Sequence, residues 1–348
     1  MSPIGVAIIG GGIFVKEQHL PAVLGCKDLS LKAIWSRSLK SAQETAALIT
    51  DGGTNPELYS ADSGVGKTYH DVLIREDISA VIIALPIISQ PEYIEAALAA
   101  GKHVLAEKPI AGDVAGARRI IDYYEKTTAA NKATLAIAEN YRFTASPAYA
   151  RDKAAQLGKL THFSIRLFSL MKDDTKWYGT SWRKTPEHQG GFLLDAGVHY
   201  AAVARMFLSG EERPDVVRAL TSQAQPHLPP IDTVNAIITT KSGVSGSFQH
   251  SAGTLLSAFQ WDFGFEHGTL NIDKDTVTVT PKDGKPEVKE FDRAWGVAEE
   301  VKAWAQAMLD GKPNPLQSPQ EALADLEFLE KMFRSGEQDG AVQKYEFQ

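Results

Sequence analysis

Three side chains of this 348-residue chain are of types that could carry proton and charge chemistry. His199 carries an imidazole, whose ordinary titration lies close to neutral pH, so it can take a proton from a hydroxyl or return one to an oxygen. Asp195 precedes it by four residues. On a helix that spacing sets both side chains on one face, where the carboxylate can orient the imidazole or bind a ligand hydroxyl. Lys108 follows the apolar run His103–Ala106, and strand ends are where open parallel sheets place their ligands. Its ammonium can stabilise negative charge developing on an oxygen, and Pro109 restricts it to an extended backbone. Taken singly, each has a plainer reading: an i,i+4 surface pair, and a solvated lysine in a turn. The Asp195–His199 spacing could also supply two metal ligands. A third and fourth ligand are not evident, and His188 is isolated, so no metal is expected.

A second kind of chemistry is written nearer the start. Gly10-Gly11-Gly12 directly follows the apolar run Ile4–Ile9 and precedes a helical stretch. Glycines there permit a tight turn and let backbone N–H groups approach a pyrophosphate. Val15 takes the third glycine position of the G-x-G-x-x-G pattern. The next apolar run ends in Ala33-Ile34-Trp35-Ser36-Arg37-Ser38-Leu39-Lys40. An NAD site usually carries a carboxylate there for the ribose 2′-hydroxyl, and this segment has none. Ser36, Arg37, Ser38 and Lys40 instead offer hydroxyls and cations suited to a 2′-phosphate. The expected cofactor is therefore NADP, with NAD less favoured.

The elements that must hold these residues follow from pattern. Short, continuously apolar runs at Ile4–Ile9, Leu31–Trp35, Ala80–Leu85, His103–Ala106 and Thr134–Ala138 alternate with helical stretches at Leu39–Ile49, Pro91–Ala100 and Asp113–Thr127. That is the signature of a parallel sheet covered by helices on both faces. Gly101 suits a helix C-cap. The segment Asp51–Gly66, rich in Gly, Ser and Asn, reads as a surface loop. Beyond a short helix at Pro147–Gln156 the pattern changes. Alternating runs at Leu160–Leu170, Val216–Ser222, Thr233–Thr240, Gly246–His250, Gln260–Phe265 and Thr276–Thr280 predict an open, mostly antiparallel sheet. A polar loop (Lys172–Gly190), a helix (Phe192–Phe207) and two closing helices (Val297–Leu309, Pro319–Phe333) complete the chain. The expected fold is α/β, with a Rossmann domain over residues 1–139 and an α+β domain over 140–348. The C-terminal helices are expected to pack back on the first domain.

Composition excludes several partners. A net charge of −7, with 36 Lys+Arg against 43 Asp+Glu and no basic stripe, argues against nucleic acid, which is bound by displacing counterions. The apolar run Val81–Ile88 is interrupted by Pro86 and is too short to cross a bilayer. The start lacks a basic n-region and a cleavage pattern, and the single cysteine, Cys26, cannot form an internal disulfide. A cytoplasmic location is expected.

The run Val-Ile-Ile-Ala-Leu-Pro, followed by Ala-Ala-Gly-Lys-His-Val-Leu-Ala-Glu-Lys-Pro-Ile-Ala through Ala111, resembles the Gfo/Idh/MocA family. Gly190-Gly191-Phe192-Leu193-Leu194-Asp195-Ala196-Gly197-Val198-His199 is similar to that family's G-G-x-L-x-D-x-G-x-H segment. With the glycine turn, these matches span the chain in the right order. The resemblance implies that Lys108, Asp195 and His199 are catalytic. It further implies cofactor contacts from Gly10, Gly12, Ile13, Phe14, Ser36, Arg37, Ser38, Lys40, Leu85, Pro86, Glu107 and Lys108. Gln90 joins them at a position where many members carry His. Asn140, Tyr141 and Arg142, resembling the segment that enters the second domain, would meet the substrate together with Asp195 and His199. In the preceding loop, Trp182 and Arg183, with Trp177, Tyr178 and His188 nearby, offer the aromatic faces and fork that suit a polyhydroxylated ligand; pinning the loop to the core is the alternative.

The resulting expectation is an NADP-dependent oxidoreductase that moves hydride to or from an alcohol or carbonyl carbon of a small polar substrate. A sugar, a polyol or a related carbonyl would fit. The alternative is a non-enzymatic NAD(P)-binding regulator of the same fold. A homodimer through the second sheet is implied by the resemblance.

Overall fold

The computed structural model describes residues 2–50 and 52–348, and among these fifteen strands form two sheets. They belong to two units. One comprises the residues up to Ala111 with Ala115–Asn140 and Trp295–Ala322; the other comprises Gly112–Val114, Tyr141–Ala294 and Leu323–Gln348.

In the first unit, β1 (Ile4–Ile9), β2 (Leu29–Ser36), β3 (Glu57–Ser60), β4 (Ala80–Ile83), β5 (His103–Glu107) and β6 (Leu135–Ala138) lie in the order β3-β2-β1-β4-β5-β6, every neighbouring pair parallel. This is the doubly wound order, with its switch point between β1 and β4. Every residue of β4 is buried, as expected of a strand covered on both faces. The helices are α1 (Leu20–Gly25), entered through a π-helical turn at Val15–His19, then α2 (Leu39–Ala46), α3 (Tyr69–Leu73), α4 (Gln90–Ala99) and α5 (Val114–Asn131). Gly101 follows α4 with φ +73°, the left-handed conformation that ends a helix.

One expectation is corrected by β3. The supposed loop Asp51–Gly66 contains β3, whose Tyr59 and Ser60 are buried; Asp51 itself lies outside the described residues. Turn-forming residues on either side of so short a strand hide its pattern. Val15, at the third glycine position, is buried in the core packed around β1.

The second sheet has nine strands. β7 (Leu160–Leu170), β8 (Pro214–Ser222), β9 (Thr233–Thr240), β10 (Ser245–Ser251), β11 (Gly253–Phe265), β12 (Gly268–Asp273), β13 (Thr276–Pro281), β14 (Glu287–Glu290) and β15 (Gln343–Lys344) lie in the order β14-β13-β12-β11-β7-β10-β9-β8-β15. All pairs are antiparallel except β7 with β10, so the sheet is mixed. The alternating burial of β9 marks a sheet with one face packed and one face open. α6 (Ala145–Ala154) precedes β7. The polar loop after it holds one helical turn, α7 (Ser181–Lys184), and leads into α8 (Phe192–Arg205). Of the closing helices, α9 (Val297–Leu309) buries Val297, Val301, Trp304 and Ala305 in the core of the first unit. α10 (Pro319–Gly336) begins in the first unit and continues into the second.

Candidate active site

In the first unit the parallel register sets the ends of β1, β2, β3, β4 and β5 along one edge: Ile9 pairs with Trp35 and Ile83, Ser36 with Ser60, and Ile83 with Ala106. Gly10, Ser36, Pro86 and Glu107 therefore share the edge where such sheets receive ligands. The glycine turn is built for close approach. A Cβ on Gly10, which has φ +139°, would lie 2.3 Å from the Ala84 carbonyl oxygen. A Cβ on Gly11 would lie 2.4 Å from Ser41 Oγ, whereas Gly12 has nothing within 4 Å of that position. Backbone pressed against its neighbours on one side and open on the other suits a dinucleotide pyrophosphate. Ile13 and Phe14 follow directly, and the Phe14 ring meets those of His19 and Trp295 edge-on.

At the end of β2, Ser36 is buried and Ser38 caps α2, its hydroxyl accepting from the Ser41 N–H at 3.3 Å. Arg37 is exposed, as is Lys40. The absence of a carboxylate in this segment does not leave the spot without one. Asp62, from the loop after β3, accepts the Leu39 N–H at 2.8 Å and the Ser60 hydroxyl at 2.5 Å. Those two bonds, the hydroxyl first, hold its carboxyl below the usual carboxylate range.

Lys108 is half-buried at the end of β5, before a cis Lys108–Pro109 bond. Two side chains brace this turn. Gln90, fully buried at the start of α4, donates from Nε2 to the Glu107 carbonyl oxygen at 2.9 Å and lies 3.5 Å from that of Pro109. His19, fully buried at the end of the π-helical turn, places Nε2 2.7 Å from Glu107 Oε1. Gln90 was expected at a cofactor; its amide nitrogen is engaged by the turn that carries Lys108. His19 was not singled out. A histidine entering the apolar stretch Leu20-Pro21-Ala22-Val23 was the available signal. Leu85 and Pro86 are half-buried after β4, and the Asn140 side chain donates to the Trp295 carbonyl oxygen at 2.6 Å.

The second unit holds the other group. The glycines before α8 serve packing. A Cβ on Gly190 would lie 2.3 Å from the Phe333 ring, and one on Gly191 2.2 Å from the Pro229 carbonyl oxygen. On Gly197 it would lie 2.9 Å from Leu329, so α8 and α10 approach closely. His188 binds the Gly191 carbonyl oxygen at 3.2 Å. In the first turn of α8, buried Asp195 accepts Arg183 Nε at 2.7 Å, and that guanidinium stands 4.0 Å from the centre of the Trp182 ring. The Tyr200 phenol is pushed up to about 12, mainly by burial and secondly by the Asp195 charge. The His199 ring stacks on Tyr141 at 4.4 Å between centroids.

The loop before α8 is pinned in part, since Tyr178 donates to the His227 carbonyl oxygen at 2.9 Å, while Trp177 and Trp182 are half-buried. Arg142, expected at the substrate, has its guanidinium buried against both Asp325 oxygens at 2.7 and 2.6 Å, and Arg205 reaches the same carboxylate. Asp325 lies 183 residues away, so no local pattern pointed to it. Among the described residues no three His, Cys, Asp or Glu side chains gather as metal ligands, and no helix is long and apolar enough to cross a membrane.

Two family models match the chain: an oxidoreductase family with an NAD-binding Rossmann fold over residues 4–132, and a GFO/IDH/MocA C-terminal domain over 151–271. The chain is 38% identical to the dehydrogenase FPY6 of Fusarium mangiferae, with 99% of this chain and 100% of the relative covered. It is 25% identical to a D-xylose 1-dehydrogenase (NADP(+)) of Haloferax volcanii, covering 92% of this chain and 98% of the relative. An oxidoreductase of Thermotoga maritima superposes with a TM-score of 0.86 at 29% identity, over 98% of both chains. With a relative of this identity along its whole length and both domains matched, the chain belongs to the Gfo/Idh/MocA family of oxidoreductases.

Proposed function

We propose that the protein moves hydride between NADP(H) and an alcohol or carbonyl carbon of a small polar substrate, a sugar, polyol or related carbonyl. The observation that carries this reading is the braced end of β5, where Gln90 and the His19–Glu107 pair hold the turn bearing Lys108 at the ligand-receiving edge of the sheet. Bound nicotinamide would supply or accept the hydride. The glycine turn would hold its pyrophosphate, with Ser36, Arg37, Ser38 and Lys40 at the 2′-phosphate and Glu107 at a ribose.

In oxidation, His199 removes the hydroxyl proton while the Lys108 ammonium hydrogen-bonds the oxygen as negative charge develops there. In reduction, His199 returns the proton. Asp195, held by the Arg183 guanidinium, positions the substrate. The D-xylose relative's name supports the sugar class and the phosphorylated cofactor.

His199→Ala and Lys108→Ala should each lower turnover, followed by NADPH absorbance over a panel of sugars and aldehydes, by at least ~100-fold. Near-normal rates in both variants would refute the mechanism. NADPH binding without turnover on any carbonyl would favour the regulator instead.

We further propose a homodimer through the open face of the second sheet, where Leu220 and Ile237 are exposed on the neighbouring strands β8 and β9. A monomer in light scattering would overturn it. A cytoplasmic setting accords with one free, buried thiol, Cys26.

A further inference from the structure

We infer that Asp62 is a specificity-determining residue of the cofactor site, occupying the backbone amide that a 2′-phosphate would use and thereby weakening the preference for NADP over NAD. The inference rests on the reading of Ser36–Lys40 as a 2′-phosphate site.

Its placement follows from the sheet. Ser36 and Ser60 pair in register at the ends of β2 and β3, and the Ala61 N–H donates to the Ser36 carbonyl oxygen at 3.2 Å. The next residue, Asp62, is thereby delivered to the start of α2. There its Oδ1 accepts the Leu39 N–H at 2.8 Å, between the two cations Arg37 and Lys40 in sequence. Buried Ser60 fixes the same oxygen. The glycine turn reaches this point as well, since Ser41 Oγ of α2 donates to the Gly11 carbonyl oxygen at 3.3 Å.

A carboxylate on the first amide of this helix does for the fold what a phosphate would do in the complex: it satisfies an N–H that has no partner within the helix. The two anions compete for one donor and repel each other. To seat a 2′-phosphate the Asp62 side chain must swing out and give up both hydrogen bonds. A ribose 2′-hydroxyl makes no such demand, because it can donate to the carboxylate where it stands. Arg37 and Lys40 favour the phosphorylated cofactor, and Asp62 opposes them.

The test is calorimetric titration of the whole protein with NADP+ and NAD+, comparing wild type with Asp62→Asn and Arg37→Gln. Asp62→Asn removes the charge and keeps a carbonyl acceptor for Leu39, so the helix start survives; Asp62→Ser, with a hydroxyl acceptor, serves as the second variant. Loss of the charge should tighten NADP+ by ~10-fold, the scale of one charge–charge contact near a protein surface, and leave NAD+ unchanged or weaker. If both Asp62 variants bind the two cofactors with the wild-type ratio while Arg37→Gln selectively loses NADP+, this inference is wrong and the phosphate site stands. If Arg37→Gln is also unselective, the reading of the site fails and the inference fails with it.

Discussion

The imidazole of His19 is fully buried with Nε2 2.7 Å from Glu107 Oε1, and its Nδ1 has no hydrogen-bond partner. Its Nε2–H donates to the carboxylate, tying the helix that follows the glycine turn to the turn that carries Lys108. His19→Ala removes the donor and leaves the inward-facing carboxylate oxygen without its bond, at a cost of about 1.5–3 kcal/mol for a hydrogen bond to a charged group. The expected result is a lower melting temperature and a weaker NADPH dissociation constant, with partial recovery in His19→Gln. If the loss of stability appears and the cofactor affinity stays at the wild-type value, His19 is merely structural.

Two glycines should separate cofactor approach from folding. Gly12 faces open space, so Gly12→Ala should melt within about 0.5–1 kcal/mol of wild type and, on the proposed reading, bind NADPH more weakly, because the added methyl would stand where the pyrophosphate approaches. Gly191 has φ +50° and a Cβ there would meet a carbonyl oxygen at 2.2 Å. Gly191→Ala should cost at least about 1–3 kcal/mol by denaturant titration. Equal stability in the two variants would contradict the packing role given to the second glycine.

Arg183 holds Asp195 through a directed bond from Nε. Arg183→Lys keeps the charge but has no fork to reproduce that bond and the stack on Trp182 together. Turnover should fall by ~10-fold or more, with melting close to wild type. A change confined to KM would mean that Arg183 touches substrate alone and does not position Asp195.

Burial holds the His250 ring well below its ordinary range, at about 3. It therefore stays neutral in the fold and takes up a proton on unfolding below pH 6.5, its unperturbed value. The sign is unfavourable: stability falls as pH drops from 6.5 toward 3. Between pH 6.5 and 5 the loss should be about 1–2 kcal/mol. Comparing wild type with His250→Leu by chemical denaturation at both pH values tests this. The variant should lose less stability on acidification, and identical losses would exclude His250 as the cause.

Much of the fold was legible because local physics writes it into the chain. Parallel strands covered on both faces read as continuous apolar runs, which exposed β1, β2, β4, β5 and β6; β3, four residues between turn-formers, did not. β12 was also missed, although its burial alternates, because short turns run it into its neighbours. The Asp195–His199 spacing and the glycine turn could be read because helix periodicity and backbone sterics are local.

The partners of those residues could not be read. Asp62 reaches Leu39 across 23 residues, His19 reaches Glu107 across 88, and Arg142 reaches Asp325 across 183. Such pairs depend on strand register and on which buried polar groups must satisfy one another once the core closes. The chain alone thus determined which candidate side chains were present and on which elements. The folded molecule decided which carboxylate takes the first amide of α2, which arginine is locked away, and which histidine braces the turn that carries the lysine.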